Sequence, residues 1–253
     1  MQSTHFAALA AIAALTLAAQ PAELKLEDVI KKSIEAQGGL EKMKAIKTMK
    51  VTGKMIIGGG QLEAPMTSYM KRPGNNRTEI SIQGQQIVEA FDGTTKWSIN
   101  PMLGSKDPQK ASDEDTKAAA DDADMVESPL VNYKEKGHSA ELLGKEDVGG
   151  SMAYKIKVIL KSGNVQTVYL DEKSFLTVKT VSKMKRMGQE FEAETLPGNY
   201  KPVDGVLIPF SSEMKVNKQS MQMVFDKIEA NVPMDDKLFA MPEVKKADPP
   251  KAP

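Results

Sequence analysis

The sequence predicts a mainly β chain, an α+β protein built on a single antiparallel meander. Apolar side chains fall on alternate residues through most of its length, and turn-forming Gly, Asn and Asp punctuate the runs. No helical crossover spacing separates the strands, so a parallel sheet is disfavoured. Such strands number roughly ten or eleven. The region 24–243 then reads as one domain, since all-β units often run to roughly 200–250 residues.

The elements follow in chain order. Residues 1–19 read as a secretory signal peptide: Phe6 to Leu17 is apolar and small residues follow at Ala18, Ala19 and Ala22. The stretch is shorter than the roughly 20 residues of a membrane span, and its n-region lacks Lys and Arg. Export to the periplasm is the expectation. Leu26 to Ala36 places Leu26, Val29, Ile30 and Ile34 on one helical stripe, stopped by Gly38-Gly39. Leu40, Met43 and Ile46 mark a second short helical turn. At Thr48 the period changes to two. Met49, Val51, Met55 and Ile57 share a face with Gly53, and Gly58-Gly59-Gly60 turns the chain.

Leu62, Ala64, Met66 and Met70 continue that face, followed by Thr78, Ile80 and Ile82, then by Ile87 to Phe91. Asp92-Gly93 supplies the positive φ of a tight turn. The next strand carries Trp97, the single Trp of the chain, on the same face as Ile99. Pro101 to Ser128 breaks the alternation. It is acidic and Ala-rich, and Ser112 before Asp113-Glu114 is a good N-cap, so one or two helices are expected there. Alternation resumes near Glu141 and runs through Tyr154–Leu160, Val165–Tyr169, Phe175–Met184, Glu190–Thr195, Val206–Val216 and Met221–Phe225. Residues 244–253 are rich in Lys, Pro and Ala, a composition expected to be disordered.

Composition narrows the function. There are 34 basic and 34 acidic residues and no Cys. Zero net charge lacks the basic footprint of nucleic-acid binding, and without Cys the chain has neither disulfides nor an acylated cysteine. Nucleophilic catalysis lacks its parts. No Gly-x-Ser-x-Gly occurs, and past the signal stretch the single His is His138, in a Lys/Glu-rich turn. Asp121, Asp122 and Asp124 lack the Gly and distal Glu of a calcium loop, and Glu190, Glu192 and Glu194 read as a solvent-facing strand edge. We therefore expect no enzyme, no cofactor, no metal and no nucleic acid. The sixteen methionines fit either ordinary core filling or an adaptable apolar cavity.

Several motifs resemble those of the bacterial outer-membrane lipoprotein-sorting proteins, the LolA/LolB-like superfamily. Lys71-Arg72-Pro73 is similar to its basic-Arg-Pro step. Asp92-Gly93-Thr94-Thr95-Lys96-Trp97-Ser98-Ile99-Asn100-Pro101 is similar to its Asp-Gly-x-x-x-Trp-x-x-x-Pro hairpin. Leu26 to Ile46, Val168-Tyr169-Leu170-Asp171, Tyr200 to Pro209 and Asn231 to Phe239 extend the likeness over nearly the whole mature chain. The resemblance implies an unclosed, highly curved antiparallel half-barrel whose concave face is covered by helices, with acyl chains held between. It implies a periplasmic carrier that binds the acyl chains of a lipoprotein or lipid for transport between envelope membranes, working as a monomer with inner- or outer-membrane transfer proteins. On that basis Met49, Val51, Met55, Ile57, Met66, Met70, Ile80, Ile82, Phe91, Trp97 and Ile99 are expected to line the cavity. Arg72 is expected to hold the helical lid. The residues alone leave Trp97 open between cavity wall and plain core, and Arg72 between lid contact and ordinary strand end. An envelope-stress-type sensor or adaptor, binding a protein partner with the same fold, is the alternative.

Overall fold

A computed structural model of the chain describes residues 24–121, 127–186, 189–216 and 219–243. The expected signal stretch and C-terminal tail lie outside these. The strands are β1 Thr48–Ile57, β2 Leu62–Lys71, β3 Asn75–Ile82, β4 Gln85–Phe91, β5 Lys96–Asn100, β6 Ser105–Lys110 and β7 Ser139–Val148. They continue as β8 Ser151–Ile159, β9 Val165–Asp171, β10 Thr177–Arg186, β11 Gln189–Val203, β12 Val206–Val216 and β13 Gln219–Ala230. Among the described residues the α-helices are α1 Leu26–Gln37, α2 Leu40–Ala45 and α3 Asp113–Asp121.

All strands join one open antiparallel sheet, ordered β6-β5-β4-β3-β2-β1-β13-β12-β11-β10-β9-β8-β7. The first six strands walk outward from the centre. The last seven walk in from the far edge and end against β1.

Among the described residues there are thirteen strands, above the ten or eleven expected. Part of the shortfall lies in β6, inside the stretch expected to be helical. Its Ser-Lys-Asp-Pro-Gln-Lys sequence has no apolar alternation, because hydrogen bonding to β5 at the sheet edge makes it a strand. Pro108 is tolerated there, as an edge strand needs only one side of its ladder. The same stretch does hold one helix. Ser112 Oγ accepts the Asp115 N–H at 3.1 Å, capping the N-terminus of α3, and donates to the Asp115 carboxylate at 2.8 Å.

One irregularity sets the faces of the whole sheet. Val51 pairs with Ile228 and Thr52 with Lys227, but Gly53 then pairs with Phe225, so Asp226 is an extra residue in β13. Without this bulge, Asp226, Val224 and Gln222 would share a face with Val51. With it, Phe225, Met223 and Met221 do. Glycine is required opposite: a Cβ at Gly53 would stand 2.2 Å from the Val224 carbonyl oxygen.

Helices α1 and α2 pack on that same face. Val29 and Ile30 of α1 bury against Tyr154, Ile156, Val158, Val168 and Leu170. Met43 of α2 and the adjoining Ile46 bury against Met49, Val51, Val206, Ile208 and Phe210, together with Val131. Gly38, at φ +121°, ends α1 where a Cβ would stand 2.2 Å from the Gly205 carbonyl oxygen.

The opposite face of β1–β5 is crossed by a C-terminal strap, residues 231–241. Asn231 Oδ1 accepts the Lys47 N–H at 2.9 Å, and Thr48 Oγ1 donates to the Val232 carbonyl at 2.6 Å. Lys71 donates to the Met234 carbonyl and pairs with Asp236 at 2.6 Å. Arg77 donates to the Leu238 carbonyl at 3.2 Å and lies 5.5 Å from the Trp97 ring. Trp97 Nε1 donates to the Phe239 carbonyl at 2.8 Å, and both side chains are fully buried.

Trp97→Phe keeps the ring but orphans that carbonyl. We expect a loss of about 1–3 kcal/mol in denaturant unfolding, with an unchanged far-ultraviolet spectrum. The turn before β5 supplies a second test. Asp92 sits below the usual carboxylate range: its burial raises the pKa, but bonds from the Thr94 hydroxyl and the Thr95 and Thr94 amides outweigh it. A lowered pKa stabilises the fold above the unfolded value of about 3.9 and loses that effect as pH falls. Asp92→Ala should therefore cost about 1 kcal/mol near neutral pH, with the gap from wild type narrowing in melts below about pH 4.

Candidate functional site

Strand pairing carries the apolar face of β1 sideways in both directions. On one side Met49 faces Met70, Met55 faces Ala64, Met66 faces Ile80 and Ile80 faces Ile87. On the other, Met55 faces Met223, Ile57 faces Met221, and Met221 faces Met214 on β12. Directly opposed residues project to the same side of a sheet. The structure thus puts Met49, Val51, Met55, Ile57, Met66, Met70, Ile80, Ile82 and Phe91 on one face.

Trp97 and Ile99 fall on the other. Trp97 pairs with Ala90 and Ile99 with Val88, one residue out of step with Phe91 and Ile87. They pack with Val88, Ala90 and Met241 beneath the strap.

The shared face has two parts. At one end of the strands it is covered, as Met49 and Val51 lie under Met43, Ile46 and Val131. Toward the other end lies a second cluster, with Met55, Ala64, Met66 and Ile82 buried and Ile57, Leu62, Ile80, Ile87, Met221, Met223 and Phe225 half-buried around them. Among the described residues this cluster is built by strands alone. Sequence reasoning did not select Met214, Met221, Met223 or Phe225, although their alternation was visible.

Arg72 stands where the covered part meets the end of β2. Its Nε donates to the Ile46 carbonyl at 2.9 Å and its Nη2 to the Met43 carbonyl at 3.2 Å. Both carbonyls stand at the C-terminal end of α2, the negative end of the helix dipole, and that of Met43 also accepts the Ile46 N–H at 3.3 Å. Nη2 also reaches Glu127 Oε1 at 3.1 Å, and Lys136 Nζ holds Glu127 Oε2 at 3.2 Å. The Glu127 side chain is only 4 % exposed. A carboxylate so buried is costly to the fold without such partners. Glu127 was not foreseen, because it follows an acidic run that reads as a solvated face.

The weak catalytic candidates lie elsewhere. His138 Nδ1 accepts the Lys161 N–H at 3.0 Å. Glu192 pairs with Lys183, while Glu194 lies between Lys179 and Lys215. Asp122 and Asp124 lie outside the described residues, as do the side chains of Asp121 and Glu190. Among the described residues no group of three or more His, Asp or Glu is placed to hold a metal ion. No described helix is long and apolar enough to cross a membrane.

Solved structures share this architecture. A DUF1329 family protein from Desulfovibrio piger aligns at TM-score 0.58 and 12% identity over 85% of this chain and 97% of its own. A LolA superfamily protein from Nitrosomonas europaea aligns at TM-score 0.58 and 12% identity over 86% and 98%. A domain provisionally assigned to outer membrane lipoprotein sorting, from Vibrio parahaemolyticus, aligns at TM-score 0.54 and 16% identity over 83% and 97%. The fold is therefore that of LolA-superfamily and lipoprotein-sorting proteins. No family model matches the sequence, and no curated protein does.

Arg72→Ala would strip the buried Glu127 carboxylate of one cation and remove the guanidinium donors from the Ile46 and Met43 carbonyls, of which Met43 keeps the Ile46 N–H. Allowing for the 21 % exposure of Arg72, we expect a stability loss of roughly 2–4 kcal/mol. Hydrogen exchange should rise first in α2, ahead of the central strands.

Proposed function

We propose that this chain is a periplasmic carrier that holds the acyl chains of a lipoprotein or lipid against the strand-built part of its apolar face and moves them between envelope membranes. The observation that carries this reading is the cluster around Met55 and Met66, which extends the face beyond the helices that cover its other end. Burying hydrocarbon there gains about 0.8 kcal/mol per methylene, so ten methylenes supply about 8 kcal/mol before the costs of ordering. Met221, Met223 and Met66 suit such a cargo, since unbranched thioethers adapt to chains of different length and curvature. The shared fold supports the same reading.

In this reading Arg72 is the lid contact. It fastens α2 at the edge of the site, and loading or release proceeds by loosening the Arg72–Glu127 contact while the strands stay in register. The chain acts by binding, as a monomer without cofactor or metal, and hands its cargo to membrane transfer proteins.

Native mass spectrometry of the chain purified from an envelope fraction, followed by lipid extraction, tests the proposal. We expect adducts that dissociate to phospholipid or acylated peptide. Met223→Lys should lower the lipid-bound fraction by roughly tenfold or more, because an ammonium group among Met55, Met221 and Phe225 has no counter-charge. A chain that is lipid-free from every fraction, yet pulls down one envelope protein independently of lipid, would replace the carrier with the adaptor reading.

A further inference from the structure

The proposed site is lined by an unusual density of sulfur. Met214 faces Met221 across β12 and β13, Met221 and Met223 share one face of β13, and Met223 faces Met55 across β13 and β1. Met55 is only 8 % exposed, whereas Met214, Met221 and Met223 are half-buried. The chain has no cysteine, so an oxidant that prefers sulfur has thioethers as its only targets.

We infer that Met214, Met221 and Met223 form an oxidation site on the apolar face, and that their conversion to sulfoxides by a peroxide or a hypohalous acid expels the hydrocarbon cargo. With a peroxide, the thioether lone pair attacks oxygen and an S–O bond forms as the O–O bond breaks. With a hypohalous acid it attacks the halogen, releasing hydroxide, and water then forms the S–O bond as the sulfur–halogen bond breaks. Sulfur loses two electrons and the oxidant gains them. Peroxide leaves as hydroxide, which takes up a proton to give water, and hypohalous acid leaves a halide and a proton.

The product is a polar, hydrogen-bond-accepting group where an apolar one stood. Opposite Met221 and Met223 are Ile57, Met55 and the buried Ser212, and opposite Met214 is the half-buried Thr195. Acyl chains offer no donors, so an apolar ligand then competes poorly with water, most of all at Met221 and Met223. Methionine sulfoxide reductases reverse the change, so the face has two states of opposite polarity without any change of fold.

The inference rests on the acyl-chain reading, and the test separates the two. Lipid-stripped chain is titrated with a pyrene-labelled fatty acid before and after graded hypochlorous acid or hydrogen peroxide, quenched with free methionine before the probe is added. Peptide mass mapping locates each sulfoxide, and far-ultraviolet circular dichroism checks the fold. We expect affinity to fall roughly tenfold as Met221 and Met223 become sulfoxides, and to return after reductase treatment.

Two variants carry the controls. Met102 and Met152 are 52 % and 40 % exposed and belong to none of β1, β12 and β13, which carry the cluster; Met102→Leu/Met152→Leu should leave both affinity and its oxidant sensitivity as in wild type. In Met214→Leu/Met221→Leu/Met223→Leu, whatever the starting affinity, the ratio before and after oxidant should stay near one. If that variant fails to fold, the wild-type dose–response decides the matter. Affinity loss that tracks sulfoxide at Met102 and Met152, or wild type that keeps its affinity with Met221 and Met223 oxidised, overturns the inference. Reduced chain that binds no probe overturns the acyl-chain reading itself, and the inference with it.

Discussion

The single extra residue in β13 is the constraint on which the rest of this structure depends. Two meanders meet where β1 pairs with β13, and each brings an apolar side of its own. Alternation alone cannot align them, because the apolar residues of β13 change parity along the strand: Ile228 and Ala230 are even, Phe225, Met223 and Met221 odd. The bulge at Asp226 absorbs that change. It keeps the whole strand facing the same way as Met49, Val51, Met55 and Ile57, and Gly53 lets the backbones close over it. One apolar surface then spans both meanders, with α1 lying over the second and α2 over the junction.

Much of this was legible in the sequence, because burial of one side of a sheet leaves a period of two. The helices Leu26–Gln37 and Leu40–Ala45, the turn at Asp92-Gly93 and the apolar sides of β1 and β2 all carry that local signal. Trp97 shows where it stops. In β4 both parities are apolar, Ile87 and Phe91 on one and Val88 and Ala90 on the other, because the strap covers the outer face as well. A strand buried on both sides does not reveal which way its neighbour's aromatic points. Pairing decides it, and pairing is not local. Strand β6 is invisible for the complementary reason, since hydrogen bonds at an edge leave no hydrophobic trace. Glu127 is hidden because its burial depends on Arg72 and Lys136, which are distant in sequence.

Ionic and apolar contacts divide the labour at the helix-covered end. Met43 and Ile46 hold α2 by burial, which is undirected and tolerates sliding. Arg72 adds direction, as its planar fork meets two carbonyls and a carboxylate at fixed angles. Replacing the buried Arg72–Glu127–Lys136 group by hydrocarbon could give a fold at least as stable. It would also merge the helix contact with the apolar face beyond it. In the proposed carrier reading, a polar cluster between the two lets α2 stay fastened or come free without redefining where hydrocarbon belongs.

The end of β2 joins both sides of the sheet. Lys71 reaches the outer face, where it grips the strap at Met234 and Asp236, and Arg72 reaches the inner one, where it grips α2. Adjacent residues of a strand point to opposite faces, so neither grip can slide along the strand without moving the other. The strap is further anchored at Thr48, Arg77 and Trp97, across strands that share a continuous ladder. Its polar contacts are therefore many and distributed, whereas the hydrogen bonds to the end of α2 converge on one guanidinium and the rest of that helix is held by burial. In the proposed carrier reading, this asymmetry puts the opening motion at α2, above the apolar face.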